Sequence, residues 1–477
     1  MDETLNNAPN TSPNLSVGRN LKIGFFHLGS GMADVLMTGV WNRVMIADLG
    51  FAATPVSLLA SLRYFLAPIG IWAGRISDRR AIGGFRRLFW VWLGRAMMVA
   101  SVFMLGLETA NLARGAEANL VAWGAIAFAL LLFSLGNAIS GNTFLALIYD
   151  RSAKEQRGRA VGIVWTFLLL GFTIGGILFS VLLPSAEAEG AMAEAVSETT
   201  QALSFTPDTL QNLFFVSGAV MGALWFFSLL GEEKRTRPGD AALAETASPE
   251  AQTSVRQDLA LVWQSRAMRF FFWYLALSMA FAFSQDAILE PFAGEVFGME
   301  ASITSRFAGY WGSMSILATI AFLFLSRRYK GLTNTVMSRW GVSILVGAFA
   351  MFALSSLAEI RWIVTPGLVV LGVGLGIWNV GTLGLMMDMS PFGRAGTFLG
   401  FWTLVVTLAR GTGVSGGGIV HDAVDLIARN PNLSYGAVFV VGAIGLSAAL
   451  WALGRVNTRE VEAPPAEAEK VFAGAMD

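Results

Sequence analysis

Polar and ionisable residues embedded in long apolar runs are the first candidates for chemistry in this chain. In the run from 23 to 47, His27, Gly31, Asp34, Thr38 and Trp41 recur at alternating intervals of four and three. At about 100° per residue these positions share one narrow stripe of a helix, and Phe, Leu, Val and Met cover the remainder. Asn42 follows Thr38 one turn later. Imidazole, carboxylate, hydroxyl and amide groups in line can bind a polar ligand, coordinate a hard metal ion or carry a proton. Such a stripe must face protein, water or a ligand, because a charge at the centre of a bilayer costs about 2.5–3.5 kcal/mol even on the mildest scales.

The elements that must position these groups follow from composition. The chain has 477 residues, 55% hydrophobic and only 14% charged, with a mean hydropathy of +0.59. This excludes a soluble globular enzyme and a disordered protein, and predicts a polytopic helical membrane protein. Twelve segments have spanning length: 23–47, 54–75, 88–107, 120–149, 160–183, 211–230, 268–290, 304–325, 333–356, 361–387, 395–420 and 433–455. A net charge of zero gives no electrostatic case for nucleic acid, and with no cysteine there is no disulfide, thiolate metal site or thiol nucleophile. The polar stretch 1–20 lacks the pattern of a cleaved signal, so the first span is expected to act as its own insertion signal.

Basic residues orient the bundle. With the N-terminus in the cytoplasm, 25 of the 33 Lys and Arg residues fall on cytoplasmic segments. Only Arg114, Arg306, Arg361 and Arg429 are external, while Arg43, Arg63, Arg95 and Arg410 lie within or at the ends of spans. The asymmetry places both termini in the cytoplasm. The expected organisation is a cytoplasmic tail (1–22), a six-helix half (23–231), a cytoplasmic linker (232–266), a second six-helix half (267–455) and a C-terminal tail (456–477). The Ala- and Glu-rich external segment from Ser185 to Asp208 is expected to form an interfacial helix.

The halves resemble each other. Asp150-Arg-Ser after span four corresponds to Asp388-Met-Ser after span ten, each with a glycine twelve residues on (Gly162, Gly400) and a Gly-Gly-Ile further downstream. Asp34-Val-Leu-Met in span one corresponds to Asp286-Ala-Ile-Leu in span seven. Two related six-helix halves joined by a linker describe the major facilitator fold, an all-α membrane architecture of twelve transmembrane helices. The segment Gly70-Ile-Trp-Ala-Gly74-Arg-Ile-Ser-Asp78-Arg-Arg resembles the facilitator loop signature. There Gly74 is expected to allow close helix approach and Asp78 to form a conformation-dependent latch. Arg79, Arg80, Arg86 and Arg87 read as topology-setting charges.

Asp34 and Arg63 lie 11 and 12 residues from the cytoplasmic ends of oppositely directed spans, hence at similar depth. They are expected to form an ion pair or shared network, serving either as a static clamp or in gating and ligand binding. Asp286 and Glu290, spaced i, i+4 on span seven, disfavour simultaneous ionisation. They read as a proton or polar-ligand site, or as acceptors for exposed backbone near Pro291. The pairs Gly70/Gly74, Gly171/Gly175, Gly372/Gly376 and Gly413/Gly417 read as helix-contact sites.

The stretch Phe25-Phe-His-Leu-Gly-Ser-Gly-Met-Ala-Asp34-Val-Leu-Met-Thr-Gly-Val-Trp-Asn42-Arg43-Val-Met-Ile46 resembles the opening of the PucC/LhaA family, facilitator-like proteins of phototrophic bacteria sometimes labelled bacteriochlorophyll synthase-like. Leu289-Glu290-Pro-Phe-Ala-Gly-Glu-Val-Phe-Gly-Met299 resembles that family's second-half signature. The resemblance implies a bacterial inner (intracytoplasmic) membrane protein that assembles light-harvesting complexes. It implies delivery or shielding of bacteriochlorophyll while antenna polypeptides are inserted, and in some members lasting attachment to an antenna or reaction-centre complex.

On that reading His27, Asp34, Thr38 and Asn42 are candidate pigment contacts. His27 or His421, the two imidazoles available, is the candidate axial ligand to pigment magnesium, with His27 preferred because it lies in the family-like stretch and with Asn42, Asn137, Asn142 and Asn379 as alternative ligands. The cluster Phe270-Phe-Phe-Trp-Tyr274 could flank a macrocycle or form an interfacial belt. The alternative is a proton-coupled secondary transporter of a small solute. A prenylating enzyme would need two Asp-rich magnesium-diphosphate motifs, for which Asp422-Ala-Val-Asp425 is the nearest candidate, so no catalysis is expected.

Overall fold

The computed structural model describes residues 15–152, 156–183, 205–233, 235, 266–389 and 395–456. Both tails, the linker interior and most of the segment between Ser185 and Asp208 lie outside these residues. Among the described residues regular structure is helical, apart from an isolated bridge between Ile82 and Phe85. Among the described residues, ten helices or helix pairs are long and apolar enough to span a membrane. The other two predicted spans, seven and eleven, correspond to a helix interrupted mid-span and to a 34-residue helix.

Helix α1 (Val17–Val35) starts behind an N-cap at Ser16 and continues through two π-helical stretches, Leu36–Trp41 and Val44–Asp48. Such i→i+5 turns are rare and concentrate at functional sites. Span two is divided into α2 (Ala53–Phe65) and α3 (Ala67–Arg79), with Pro68 in the first turn of α3, where its missing N–H leaves no intrahelical bond unmade.

One compact unit comprises Met1–Trp41, Phe65–Ala247 and Glu300–Gly309. Its helices are α1, α3, α4 (Leu88–Ala113), α5 (Leu120–Arg151), α6 (Arg157–Leu182) and α7 (Pro207–Phe227). Helix α1 lies along α6, and α4 lies between α5 and α7. Asn119 caps α5 by accepting from Val121 and Ala122 N–H, and Thr206 caps α7 ahead of Pro207. At the α1–α6 crossing, a Cβ on Gly31 would meet the Leu168 carbonyl, and one on Gly171 would meet the Leu28 carbonyl. Two facing glycines thus let main chain touch main chain, as the glycine spacing predicts.

The other unit comprises Asn42–Tyr64, Ser248–Met299 and Tyr310–Asp477. It contains α2, α8 (Arg266–Ala282), α9 (Leu289–Phe297), and, after the one-turn α10 (Ala301–Thr304) of the first unit, α11 (Phe307–Arg328), α12 (Asn334–Leu357), α13 (Val364–Asp388), α14 (Ala395–Ala428) and α15 (Pro431–Leu453). Helix α12 packs on α13 and α15, and α8 packs on α14 and α15. A Cβ on Gly413 or Gly417 would meet the Ala280 or Ser284 carbonyl, the second-half version of the α1–α6 contact.

Two expectations need correction here. Span seven is not continuous: residues 283–288 form turns between α8 and α9. Asp286 therefore lies in the break and Glu290 in the first turn of α9, so the two acids do not share the i, i+4 face of one helix. Pro291 accounts for the position of the break, since it withholds the N–H that would bond the Ala287 carbonyl. Further, no described atom lies within 4 Å of a Cβ built on Gly74, whereas one on Gly70 would meet Ala138 and Asn142, so the close approach belongs to Gly70. The side chain of Asp78 lies outside the described residues.

Candidate functional site

In the first unit the polar stripe is partly realised. His27, Asp34 and Thr38 are half-buried along one line of α1 and its first π turn, while Gly31 and Trp41 are buried to either side. The π stretch ends the uniform 100° progression, and Trp41 turns away to donate from Nε1 to Thr109 Oγ1 at 3.2 Å. Thr38 donates its hydroxyl proton to the Asp34 main-chain carbonyl, 2.8 Å away. The His27 ring lies among Phe26, Phe144 and Trp165, with centroids 5.9, 4.9 and 5.9 Å away. Its Nδ1 is buried and has no hydrogen-bond partner among the described residues.

Arg95, only 4% exposed, stands next to this stripe. Its guanidinium lies 4.4 Å from the Phe26 ring centroid and 4.6 Å from that of Trp225, and Nη1 approaches Met98 Sδ at 3.2 Å. Asp34 is the carboxylate whose charge acts on it. Sequence reasoning gives Arg95 no role; its signal is only that it is one of few cations inside an apolar run.

At the end of the first unit where α1 begins, Arg87 donates to Ser77 Oγ at 2.6 Å and to Asp150 Oδ2 at 3.0 Å. Glu233 accepts from the main-chain N–H of Arg86, Arg87 and Leu88, and so caps α4. Glu232 binds Arg19 at 2.7 Å and Lys22 at 3.2 Å. Arg87 thus ties the glycine-rich loop to Asp150, the first residue of the repeated motif, and does more than set topology.

The second unit carries Asn42, Arg43, Arg63, Asp286 and Glu290. Arg63, 4% exposed, donates from Nη2 to Tyr64 Oη at 2.7 Å. The Tyr64 ring also lies 5.0 Å from the Arg410 guanidinium, which is 4.1 Å from the Phe283 ring and pairs with Asp286 at 2.9 Å. Gln285 Nε2 donates to the other oxygen of Asp286 at 2.8 Å. The helix break thus exposes a carboxylate and an amide that a continuous α-helix would hold on its flank, and places them against a cation from α14. An interrupted helix beside facing charges is a frequent form of a transporter binding site. Asn42 is fully buried, and Glu290 is buried in the first turn of α9, where a carboxylate suits the positive end of the helix.

Arg43 Nη1 pairs with Asp48 at 2.8 Å, and Nη2 donates to the Met299 carbonyl at 3.0 Å. Any Cβ on Gly294 would strike this guanidinium, so the Leu289–Met299 motif has its glycine where α9 receives the arginine.

His421 Nδ1 lies 3.0 Å from Asp422 Oδ1, and its ring is 4.4 Å from Tyr435. Asp422 in turn accepts from Ala53 N at 3.0 Å and Thr54 N at 2.7 Å, capping α2. This histidine is committed to a structural contact, whereas His27 is not. Removing the cap in Asp422→Ala is expected to cost about 1–2 kcal/mol in chemical unfolding of the purified protein, and Asp422→Asn to retain most of the stability; equal losses in the two variants would contradict the capping role. Of the aromatic cluster, Phe271, Phe272 and Tyr274 are buried, with Phe271 and Phe272 near Phe398 and Tyr274 on Thr382, so packing dominates there.

Solved structures similar to this chain are transporters. A bacterial homologue of the human lysosomal transporter Spinster, inward-facing and unoccupied, matches 94% of this chain and 98% of its own, with a TM-score of 0.66 and 16% identity. A bacterial homologue of the human drug peptide transporters PepT1 and PepT2 matches 92% and 98%, with a TM-score of 0.62 and 15% identity. These likenesses give the major facilitator fold. Among curated relatives, Protein PucC of Rhodovulum sulfidophilum is 28% identical over 426 residues, covering 87% of each chain. The protein named Bacteriochlorophyll synthase 44.5 kDa chain of Rhodobacter capsulatus is 27% identical over 451 residues, covering 92% of this chain and 95% of its own. The PUCC protein profile matches residues 40–461, a stretch that contains the broken helix and the Arg43 contact but begins after His27, Asp34 and Thr38. This multi-pass membrane chain belongs to the PUCC protein family.

Proposed function

We propose that this protein is an assembly factor for light-harvesting complexes, which binds bacteriochlorophyll and delivers or shields it while antenna polypeptides are inserted and oligomerised. The reading is carried by membership of the PUCC family over most of the chain. The geometry of the first helix supports it. His27 has an Nδ1 with no hydrogen-bond partner among the described residues and is flanked by aromatic rings, on the same line as Asp34 and Thr38. That donor set fits magnesium of a tetrapyrrole, which accepts nitrogen or oxygen ligands; bound there, the metal would supply an axial attachment point. Asn42, in the second unit, is retained as a further candidate contact.

The 25-to-4 distribution of basic residues supports cytoplasmic termini, and membership of the PUCC family supports the bacterial inner (intracytoplasmic) membrane as the location. Its partners would be membrane lipids, antenna polypeptides and an antenna or reaction-centre complex. No catalytic step is assigned. The nearest candidate for a magnesium-diphosphate motif is otherwise engaged, since Asp422 caps α2 and Asp425 accepts from Ser434 at 3.2 Å.

Affinity isolation from a phototrophic host tests the reading. Bacteriochlorophyll absorption and antenna polypeptides are expected to co-elute, and a deletion strain to lose assembled antenna with pigment synthesis intact. Accumulation of unprenylated pigment in that strain would instead indicate an enzyme.

A second reading, a proton-coupled secondary transporter, is favoured by the Asp286–Arg410 pair in the broken helix. Uphill solute uptake by the pure protein in vesicles would select it. Asp34, in the first unit, and Arg63, in the second, are each proposed to serve ligand binding or gating. Replacing both by leucine is therefore expected to reduce assembled antenna at least tenfold at unchanged protein level. Full assembly in the double variant would leave them only the role of a clamp.

A further inference from the structure

We infer that the end of the second unit where α8 begins and α15 finishes carries a headgroup site for an anionic phospholipid, built on Arg266, Phe270, Trp451 and Arg455. The site lies apart from the broken helix and from the stripe on α1, and it stands whichever cargo the protein handles.

Helices α8 and α15 run antiparallel, since Phe270 meets Trp451 while Phe281 meets Gly445. The first turn of α8 therefore lies beside the last turn of α15. There the Phe270 and Trp451 rings meet edge to face, with centroids 5.8 Å apart. Two guanidiniums stack on this pair. That of Arg266 is 5.8 Å from the Phe270 centroid; that of Arg455 is 5.6 Å from it and 3.6 Å from the Trp451 centroid. Stacking occupies the face of a guanidinium and leaves its in-plane N–H donors for another partner. Both arginines are exposed, and among the described residues neither side chain forms a hydrogen bond or an ion pair. The first unit spends its boundary cations differently: Arg19 and Lys22 bind Glu232, and Arg87 binds Asp150.

Two oriented cations without a carboxylate call for an anion, and the adjoining surface makes that anion a lipid. Trp451 is 58% exposed, and along the same face of α15 Ile444 and Val440 are 65% and 38% exposed. On a membrane-spanning helix such a face borders acyl chains, and exposed tryptophan marks the headgroup level. A phosphate held by Arg266 and Arg455 thus sits where its own acyl chains can follow Trp451, Ile444 and Val440. Guanidinium forks match phosphate oxygens, and the stacked side chains lose little further freedom on binding. A soluble anion would use the donors and leave the apolar face unused.

Native mass spectrometry of the delipidated full-length protein in detergent tests the site, with phosphatidylglycerol and phosphatidylcholine of identical acyl chains as probes. Phosphatidylglycerol is expected to bind about tenfold more tightly or better, each interfacial arginine being worth about fivefold. Arg266→Gln with Arg455→Gln should reduce that preference to about twofold or less. Arg327→Gln with Arg328→Gln, at another exposed pair, should leave it unchanged. Arg266→Lys with Arg455→Lys keeps the charge without the planar fork and should retain only part of the preference. Phe270→Leu removes the shared ring and should weaken phosphatidylglycerol about threefold; it serves if the double arginine variants do not fold. Equal binding of the two lipids, full retention in the lysine variant, or an equal loss in the Arg327 and Arg328 control would overturn the site in favour of diffuse surface charge. Displacement of phosphatidylglycerol by equimolar inorganic phosphate would make it a site for soluble anions. Binding that rises in Glu460→Gln with Glu462→Gln would give the patch to the acidic residues that follow Arg455 in the chain. Either result would overturn the lipid assignment.

Discussion

Asp286→Ala is expected to destabilise the purified protein by about 3 kcal/mol, read as a shift in its chemical unfolding curve at constant slope. Asp286 gives the Arg410 guanidinium a carboxylate at 2.9 Å, and Arg410 also lies against the rings of Tyr64 and Phe283. Deleting one member of a buried pair leaves the other charge without its counter-ion, which costs about 3–5 kcal/mol. The pair is partly accessible, Arg410 at 25% and Asp286 at 10%, so the lower end applies. Substituting Met for Arg410 in the same chain should restore most of the loss, because the aromatic surroundings accept an unbranched thioether. An unfolding midpoint for Asp286→Ala equal to that of the parent would show that the pair does not hold the interrupted helix.

Gly171→Val is expected to have the other large effect, loss of a monodisperse folded product. The new Cβ would strike the Leu28 carbonyl and lie 2.9 Å from the Gly31 Cα. Ordinary overpacking of a core costs about 1–3 kcal/mol because side chains can move aside. Here the obstacles are main-chain atoms of α1, and relief requires separating two helices that meet along much of their length. Gly124→Val is the control: a side chain there meets nothing within 4 Å, and yield and unfolding should be unchanged. Similar behaviour of the two variants in size-exclusion chromatography would refute close contact at the crossing.

The membrane class, most of the spans and the glycine contacts other than that of Gly74 were legible because each follows from local pattern. An apolar run of twenty residues has few alternatives to spanning, and small residues four apart mark a helix seam wherever the partner lies. The broken span was harder to see. Phe283-Ser-Gln-Asp-Ala-Ile288 contains neither glycine nor proline, and its hydrophobicity continues that of α8. The break depends on Pro291 three residues later and on partners for Gln285 and Asp286, of which Arg410 is 124 positions away. Pairings at such separation leave no mark in one sequence. The same holds for Arg95, whose aromatic partners come from the first and sixth spans. On α1 the expected stripe holds for His27, Asp34 and Thr38; Gly31 instead packs on α6, and Trp41 leaves the line because a regular 3.6-residue period was assumed where the backbone adopts wider turns.

Those wider turns at Leu36–Trp41 and Val44–Asp48 bear on how chains of this type can differ in length. An i→i+5 turn accommodates one residue more than an i→i+4 turn. Losing a residue from the first stretch would let the backbone tighten to ordinary α geometry, with Asp34 upstream and the Arg43 clasp downstream keeping their bearings. The same loss between Phe25 and Ala33 has no slack to absorb it and would rotate the flanking side chains by about 100° against each other. The two stretches thus work as expansion joints, confining harmless insertions and deletions in the opening helix to positions beyond Asp34.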